Sequence, residues 1–192
     1  IADEMGGGKS ASAILAKEYI GVPLAVIVVP SNVTDTWLDY LSDKVTPEGK
    51  QIGYFKIGQA PRVLVAEDFN SLQNVDMNNY DYVLISQEKL NEKYTEELLK
   101  LNFQMLIVDE VHKLKNVQEG VRSKNLLKLA EKIKDQGQYL ALLSGTPIPN
   151  KVRDVELEFR LPILDTATGL LIESHDLVGK IDAISEAGDI IE

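Results

Sequence analysis

Short, unbroken apolar runs recur along this 192-residue chain, and they limit what it can fold into more than any other feature. Ala25-Val26-Ile27-Val28-Val29 is mostly β-branched and is stopped by Pro30. Tyr82-Val83-Leu84-Ile85, Met105-Leu106-Ile107-Val108 and Tyr139-Leu140-Ala141-Leu142-Leu143 repeat the pattern, with Arg62-Val63-Leu64-Val65 a weaker example. A strand wet on one face alternates polar and apolar residues, whereas a continuous apolar run marks a strand covered on both faces. Between the runs lie helical patterns at Lys9–Tyr19, Thr34–Ser42, Glu88–Leu101 and Arg122–Lys134. Strands alternating with helices predict a three-layer α/β domain, with a mainly parallel sheet and helices on both faces. Ligands of such sheets gather at the carboxyl ends of the strands. The residues that follow each run are therefore the candidates for chemistry.

Composition narrows the field. With 44% hydrophobic and 26% charged residues, the chain can bury one substantial core. It has no cysteine, which excludes disulfides and cysteine-based metal sites. No run of about 18 apolar residues could cross a membrane as a helix. The opening Ile1-Ala2-Asp3-Glu4 lacks the basic and apolar stretches of a signal peptide. The expectation is an intracellular protein, cytoplasmic or nuclear according to its source, with no membrane partner. The formal charge of −10 counts modestly against tight nucleic-acid binding. Its distribution is uneven: residues 161–192 carry one lysine against seven acids, and 113–134 carry seven Lys/Arg against two acids. Contacts made through backbone amides also escape a charge count. In Arg122–Lys134, Lys124, Lys128 and Lys132 stand opposite Leu126, Leu129 and Ile133, the pattern of a solvated amphipathic helix.

The first candidate site is Gly6-Gly7-Gly8-Lys9-Ser10, which leads into a helical pattern. Glycines let successive N–H groups turn inward and let phosphate oxygens approach the backbone. The helix start adds partial positive charge. Lys9 would reach the β and γ phosphates, and the Ser10 hydroxyl would ligate magnesium. The strict phosphate-loop pattern has glycine where this chain has Asp3.

The second is Asp109-Glu110 at the end of Met105–Val108. An aspartate directly after a buried strand is where a P-loop ATPase anchors its magnesium. Glu110, one residue on, suits a general base that orients the attacking water. His112 lacks a second ligand at metal-binding spacing, since the other histidine is His175, and reads as a hydrogen-bonding link to neighbouring motifs. Ser144-Gly145-Thr146-Pro147 ends the last strong run and can sense the carboxylates beside it.

Together these residues resemble the first RecA-like lobe of a superfamily-two helicase, specifically of the Swi/Snf-type ATPases. Ala2-Asp3-Glu4-Met5-Gly6-Gly7-Gly8-Lys9-Ser10 resembles that family's first motif, which itself carries Asp in place of the strict glycine. Val29-Pro30-Ser31 with Trp37, and Leu84-Ile85-Ser86-Gln87-Glu88, resemble two motifs that contact the nucleic-acid backbone. Asp109-Glu110-Val111-His112-Lys113-Leu114-Lys115-Asn116 and Leu143-Ser144-Gly145-Thr146-Pro147-Ile148-Pro149-Asn150 resemble the next two, in family order. Gly7 and Ser10 replace the usual Leu and Thr, Val111 replaces Ala, and Pro149 replaces Gln; none of these removes a phosphate or magnesium ligand.

The resemblance implies an ATP- and Mg2+-using lobe of a nucleic-acid translocase or helicase, acting on double-stranded DNA. In it Gly6, Gly7, Gly8 and Lys9 cradle phosphate, and Ser10 and Asp109 hold magnesium. Lys9, Glu110 and His112 serve catalysis, Ser144 and Thr146 couple nucleotide state to the groove, and Ser31 and Ser86 touch the nucleic acid. The alternatives are another superfamily-two motor, such as an RNA helicase or restriction subunit, and a non-hydrolysing scaffold. Residues 1–162 are expected to form this lobe, truncated at its start. Residues 163–192 form a tail or the beginning of an insertion, with a turn at Asp165–Gly169 and a short helix bearing Leu177, Val178, Ile181 and Ile184. The arginine-rich second lobe, a partner in hydrolysis, is expected to be absent, because the arginines after residue 150 are Arg153 and Arg160 alone.

Overall fold

The computed structural model describes residues 8–73, 76–114 and 120–144, and the backbone of two short strands at 163–164 and 171–172. Five strands, β1 (Ala25–Val29), β2 (Val63–Val65), β3 (Tyr82–Ser86), β4 (Met105–Val108) and β5 (Tyr139–Leu142), form one sheet in the order β2-β3-β1-β4-β5. Every pairing in it is parallel. The unbroken apolar runs are explained by how their residues divide. Val26, Val28, Val83, Ile85, Leu106 and Val108 face one core, while Ala25, Ile27, Val29, Tyr82, Leu84, Met105 and Ile107 face the other. Successive strand side chains point to opposite faces, so a sheet with a core on each side needs an apolar residue at every position.

Helices α1 (Lys9–Ile20) and α2 (Thr34–Tyr40) cover one face through Ala13, Ile14 and Trp37. Helices α3 (Glu92–Lys100) and α4 (Val121–Asp135) cover the other through Leu98, Leu126, Leu129, Ala130 and Ile133. Gly21, at φ 75°, ends α1 by donating its N–H to Lys17 O, and the chain turns back into β1 within a few residues. Helix and strand have similar lengths at roughly 1.5 Å and 3.3 Å per residue. The start of α1 therefore returns to the carboxyl edge of the sheet. A contact fixes the far end of α1 against the first residue of β3: the Lys17 ammonium lies 4.6 Å from the Tyr82 ring centre and 3.1 Å from Glu18 Oε1, which accepts the Tyr82 hydroxyl at 2.8 Å. Burial, and then the bond to Glu18, raise the Tyr82 pKa far above the ordinary phenol value, so the phenol keeps its proton and remains the donor.

Three expectations need correction. The continuous helix Glu88–Leu101 is instead a 3-10 turn, Gln87–Lys89, followed by α3. Asn91 separates them, because its side-chain oxygen accepts the Tyr94 N–H at 3.2 Å and starts a new helix. Lys124 and Lys128 are exposed as expected, but Lys132 is not a solvated member of that face. Its ammonium donates to the carbonyls of Leu99 and Leu101, at the end of α3, and sits 4.9 Å from the Phe103 ring centre. Partial burial there lowers its pKa. The helix Thr34–Ser42 stops at Tyr40. Ile163–Leu164 and Leu171–Ile172 pair antiparallel, while the turn at 165–169 and the helix around 177–184 lie outside the described residues.

Candidate functional site

The carboxyl ends of β1, β3 and β4 lie side by side. Val29 pairs with Ser86, and Val28 with Val108, so Ser86 and Asp109 flank Val29 one residue past the apolar rows. Strand spacing places them about 9–10 Å apart across the edge. Asp109 is nearly buried, at 9% exposure. Its N–H donates to Val28 O at 2.9 Å, which continues the β1–β4 ladder and fixes the residue's direction. One carboxylate oxygen, Oδ2, accepts the Trp37 indole N–H at 2.8 Å. The other, Oδ1, accepts the Glu110 N–H at 2.9 Å, and the main-chain oxygen accepts the Gln87 side-chain amide at 2.6 Å. An ionised carboxylate offers about four lone-pair sites. Asp109 is thus held firmly and still has capacity for a cation or its waters.

Glu110 has φ 49° and ψ 45°, the only non-glycine with positive φ among the described residues. A side chain in that region costs on the order of 1–3 kcal/mol and persists where the surroundings impose it. Here they do. The Asp109 carboxylate holds the Glu110 N–H, and the next N–H, of Val111, donates to Leu143 O at 3.2 Å. The chain then enters the 3-10 turn Val111–Lys113, which contains His112. Leu143 in turn donates to Val108 O at 2.8 Å, bringing buried Ser144 to the same edge as the two acids.

Gly8, at φ 77°, is the residue before α1, and no side chain among the described residues caps that helix start. A Cβ at Gly8 would meet nothing within 4 Å, so the requirement for glycine is conformational. The first turn of α1 carries Lys9 and Ser10 and no acidic residue. A helix start bearing a cation and a hydroxyl is suited to an anion, and Lys9 with Ser10 could hold a phosphate and a metal's ligand set.

Of the residues singled out in the sequence, Lys9, Ser10, Asp109, Glu110 and Ser144 fall at the carboxyl edge. Ser31 and Ser86 fall there too, Ser31 just after β1 and Ser86 as the last residue of β3, with Ser31 exposed and Ser86 half-buried. The Ser31 N–H donates to Glu88 Oε2 at 3.0 Å and ties those segments together. Gly6, Gly7 and Thr146 lie outside the described residues. Trp37 and Gln87 were present in the motifs without a role of their own, and both prove to be bonded to Asp109. The available signal was chemical: an indole and an amide placed shortly after apolar strands, where a buried N–H needs an acceptor.

The parallel sheet, its flanking helices and this edge define a RecA-like α/β lobe. Residues 1–160 match the SNF2-related domain, and the chain belongs to that family, as a Swi/Snf-type ATPase lobe of helicase superfamily two. It is 29% identical over 161 residues to an uncharacterized ATP-dependent helicase of Mycoplasma pneumoniae, covering 81% of this chain and 14% of the relative. It is 28% identical over 185 residues to the chromatin-remodeling ATPase INO80 of Vanderwaltozyma polyspora, covering 92% and 11%. A SWI/SNF-related regulator of chromatin, subfamily A-like protein 1, from Drosophila melanogaster is 27% identical over 166 residues, covering 86% and 19%. The chain thus spans less than a fifth of the length of each of these relatives.

Proposed function

We propose that this lobe grips the phosphate tail of Mg2+–ATP for a motor that steps along nucleic acid, double-stranded DNA being the expected track. The supporting observation is the Asp109-Glu110 pair at the carboxyl end of β4, held by hydrogen bonds from four directions and sharing its edge with the glycine-led start of α1. The donor set suits the ion. Magnesium takes hard oxygen ligands, keeps several waters, and is bound through one or two carboxylates and substrate phosphates. Asp109 and the Ser10 hydroxyl would hold it, and it would neutralise charge building on the phosphates. Gly6, Gly7, Gly8 and the Lys9 ammonium cradle the phosphates. Glu110 orients a water and accepts its proton as the water attacks. His112, Ser144 and Thr146 relay the nucleotide state, and Ser31 and Ser86 meet the nucleic-acid backbone. The named relatives, ATP-dependent helicases and chromatin-remodelling proteins, support an intracellular setting and a nucleic-acid partner.

Calorimetry of Mg2+–ATP binding tests the nucleotide reading. A charge-assisted hydrogen bond contributes about 1.5–3 kcal/mol, so Lys9→Ala is expected to weaken binding roughly 10- to 150-fold. Asp109→Ala is expected to blunt the response to magnesium. Identical binding by wild type and Lys9→Ala would sink the phosphate-loop assignment. The nucleic-acid reading has its own test, an anisotropy titration with duplex DNA at several salt concentrations. Binding through serines and backbone amides to phosphates should be weak, indifferent to sequence and sharply reduced by salt. Strong preference for one sequence, unchanged by salt, would contradict it.

A further inference from the structure

Asp109 is held by two side chains, and they come from the segments that follow Ser31 and Ser86, the two residues for which nucleic-acid contact is proposed. Trp37 lies on α2, directly after the loop bearing Ser31, and its indole is 1% exposed. Gln87 follows Ser86 and is 3% exposed. One bonds the Asp109 carboxylate at 2.8 Å and the other its carbonyl at 2.6 Å. The two segments are joined to each other by the Ser31 N–H on Glu88. The result is a closed ring of bonds: Ser31 loop to Trp37, to Asp109, to Gln87, to Glu88 and back to Ser31.

From this ring we infer that Trp37 and Gln87 are positioning residues that set the Asp109 carboxylate for magnesium and couple it mechanically to the nucleic-acid-facing loops. Fixing the remaining lone pairs of Asp109 toward the phosphate site is work that a buried N–H donor can do and an apolar ring cannot. The ring also works in reverse: a shift of either loop on nucleic acid must move a donor of Asp109. Trp37 therefore acts inside the lobe and is not itself a surface contact. This inference rests on Asp109 as the magnesium anchor.

The test compares ADP affinity across a magnesium titration, using the 192-residue chain. Metal-site partners of this kind typically alter metal affinity 10- to 100-fold, so Trp37→Phe should raise the magnesium concentration needed for half-maximal ADP binding about tenfold or more. Affinity for ADP without magnesium should stay unchanged. Gln87→Met should shift the magnesium midpoint in the same direction. Because Trp37 is the sole tryptophan, it can also be replaced throughout by benzothienylalanine, which keeps the ring shape and lacks the N–H. That replacement should reproduce the Phe result even if Trp37→Phe fails to fold. An unchanged magnesium midpoint in the benzothienylalanine protein would overturn the inference. So would an equal loss with and without magnesium, which is the mark of a purely structural role. A wild-type chain that binds no ADP at any magnesium concentration would instead overturn the nucleotide reading on which the inference depends.

Discussion

Replacing Glu110 by glutamine is expected to slow ATP hydrolysis by about 10²–10⁴, the usual contribution of a positioned general base, while nucleotide binding persists. Glutamine keeps the shape and the hydrogen-bonding reach of glutamate but cannot take a proton from water. The backbone makes this test unusually clean. Glu110 sits at φ 49° because the Asp109 carboxylate and Leu143 O hold successive N–H groups, neither of which involves the Glu110 side chain. Glycine at this position should relieve about 1–2 kcal/mol of left-handed strain and raise the melting temperature, yet lose hydrolysis as glutamine does. A more stable, inactive Glu110→Gly would show that the strain is retained for the carboxylate's sake. Steady-state phosphate release, measured with the second helicase lobe supplied, decides the matter. Unimpaired turnover by Glu110→Gln would move the base elsewhere.

The second large effect concerns that other lobe. The 192-residue polypeptide assayed alone is expected to hydrolyse ATP about 10³–10⁵ more slowly than when a second lobe is fused to it or added in trans, the range attributed to an arginine finger. This corresponds to roughly 4–7 kcal/mol of barrier. In the proposed site Lys9 and magnesium would already engage the phosphates in the ground state, so they would not supply charge that appears only at the transition state. The prediction fails if the isolated chain matches the two-lobed protein. The cation would then have to be sought among Lys113, Lys115, Arg153 and Arg160.

Strand positions were readable from sequence because burial on both faces leaves no polar residue in the run. Ala25–Val29 and Met105–Val108 fall where their apolar runs end. The break between Lys89 and Glu92 was not readable from periodicity, since Leu90, Tyr94 and Leu98 continue a helical spacing across it. It is Asn91, capping Tyr94, that restarts the helix. Lys132 misled for a related reason: charge at a helical position suggests solvent, but a long side chain can fold back onto carbonyls of a neighbouring helix. The candidate acids Asp109 and Glu110 were legible because their position, directly after a buried strand, is itself the signal. Trp37 and Gln87 were legible only as members of motifs. Their bonds to Asp109 span 72 and 22 residues, and no local pattern encodes a partner at such a distance.

Placing β1 at the centre of the sheet also sets a clock on synthesis. β1 is made early, yet its partners β3 and β4 lie far downstream, and Leu24 beside it waits 80 residues for the Gln104 side chain it bonds. At about 5–20 residues per second, the 72 residues between Trp37 and Asp109 take roughly 4–14 s to translate. Until β3 has been made, Ala25–Val29 is a strongly β-prone segment without a partner strand, the kind of stretch that seeds aggregation. The Asp109 carboxylate and its indole donor can meet only when the whole Trp37–Asp109 stretch has been made.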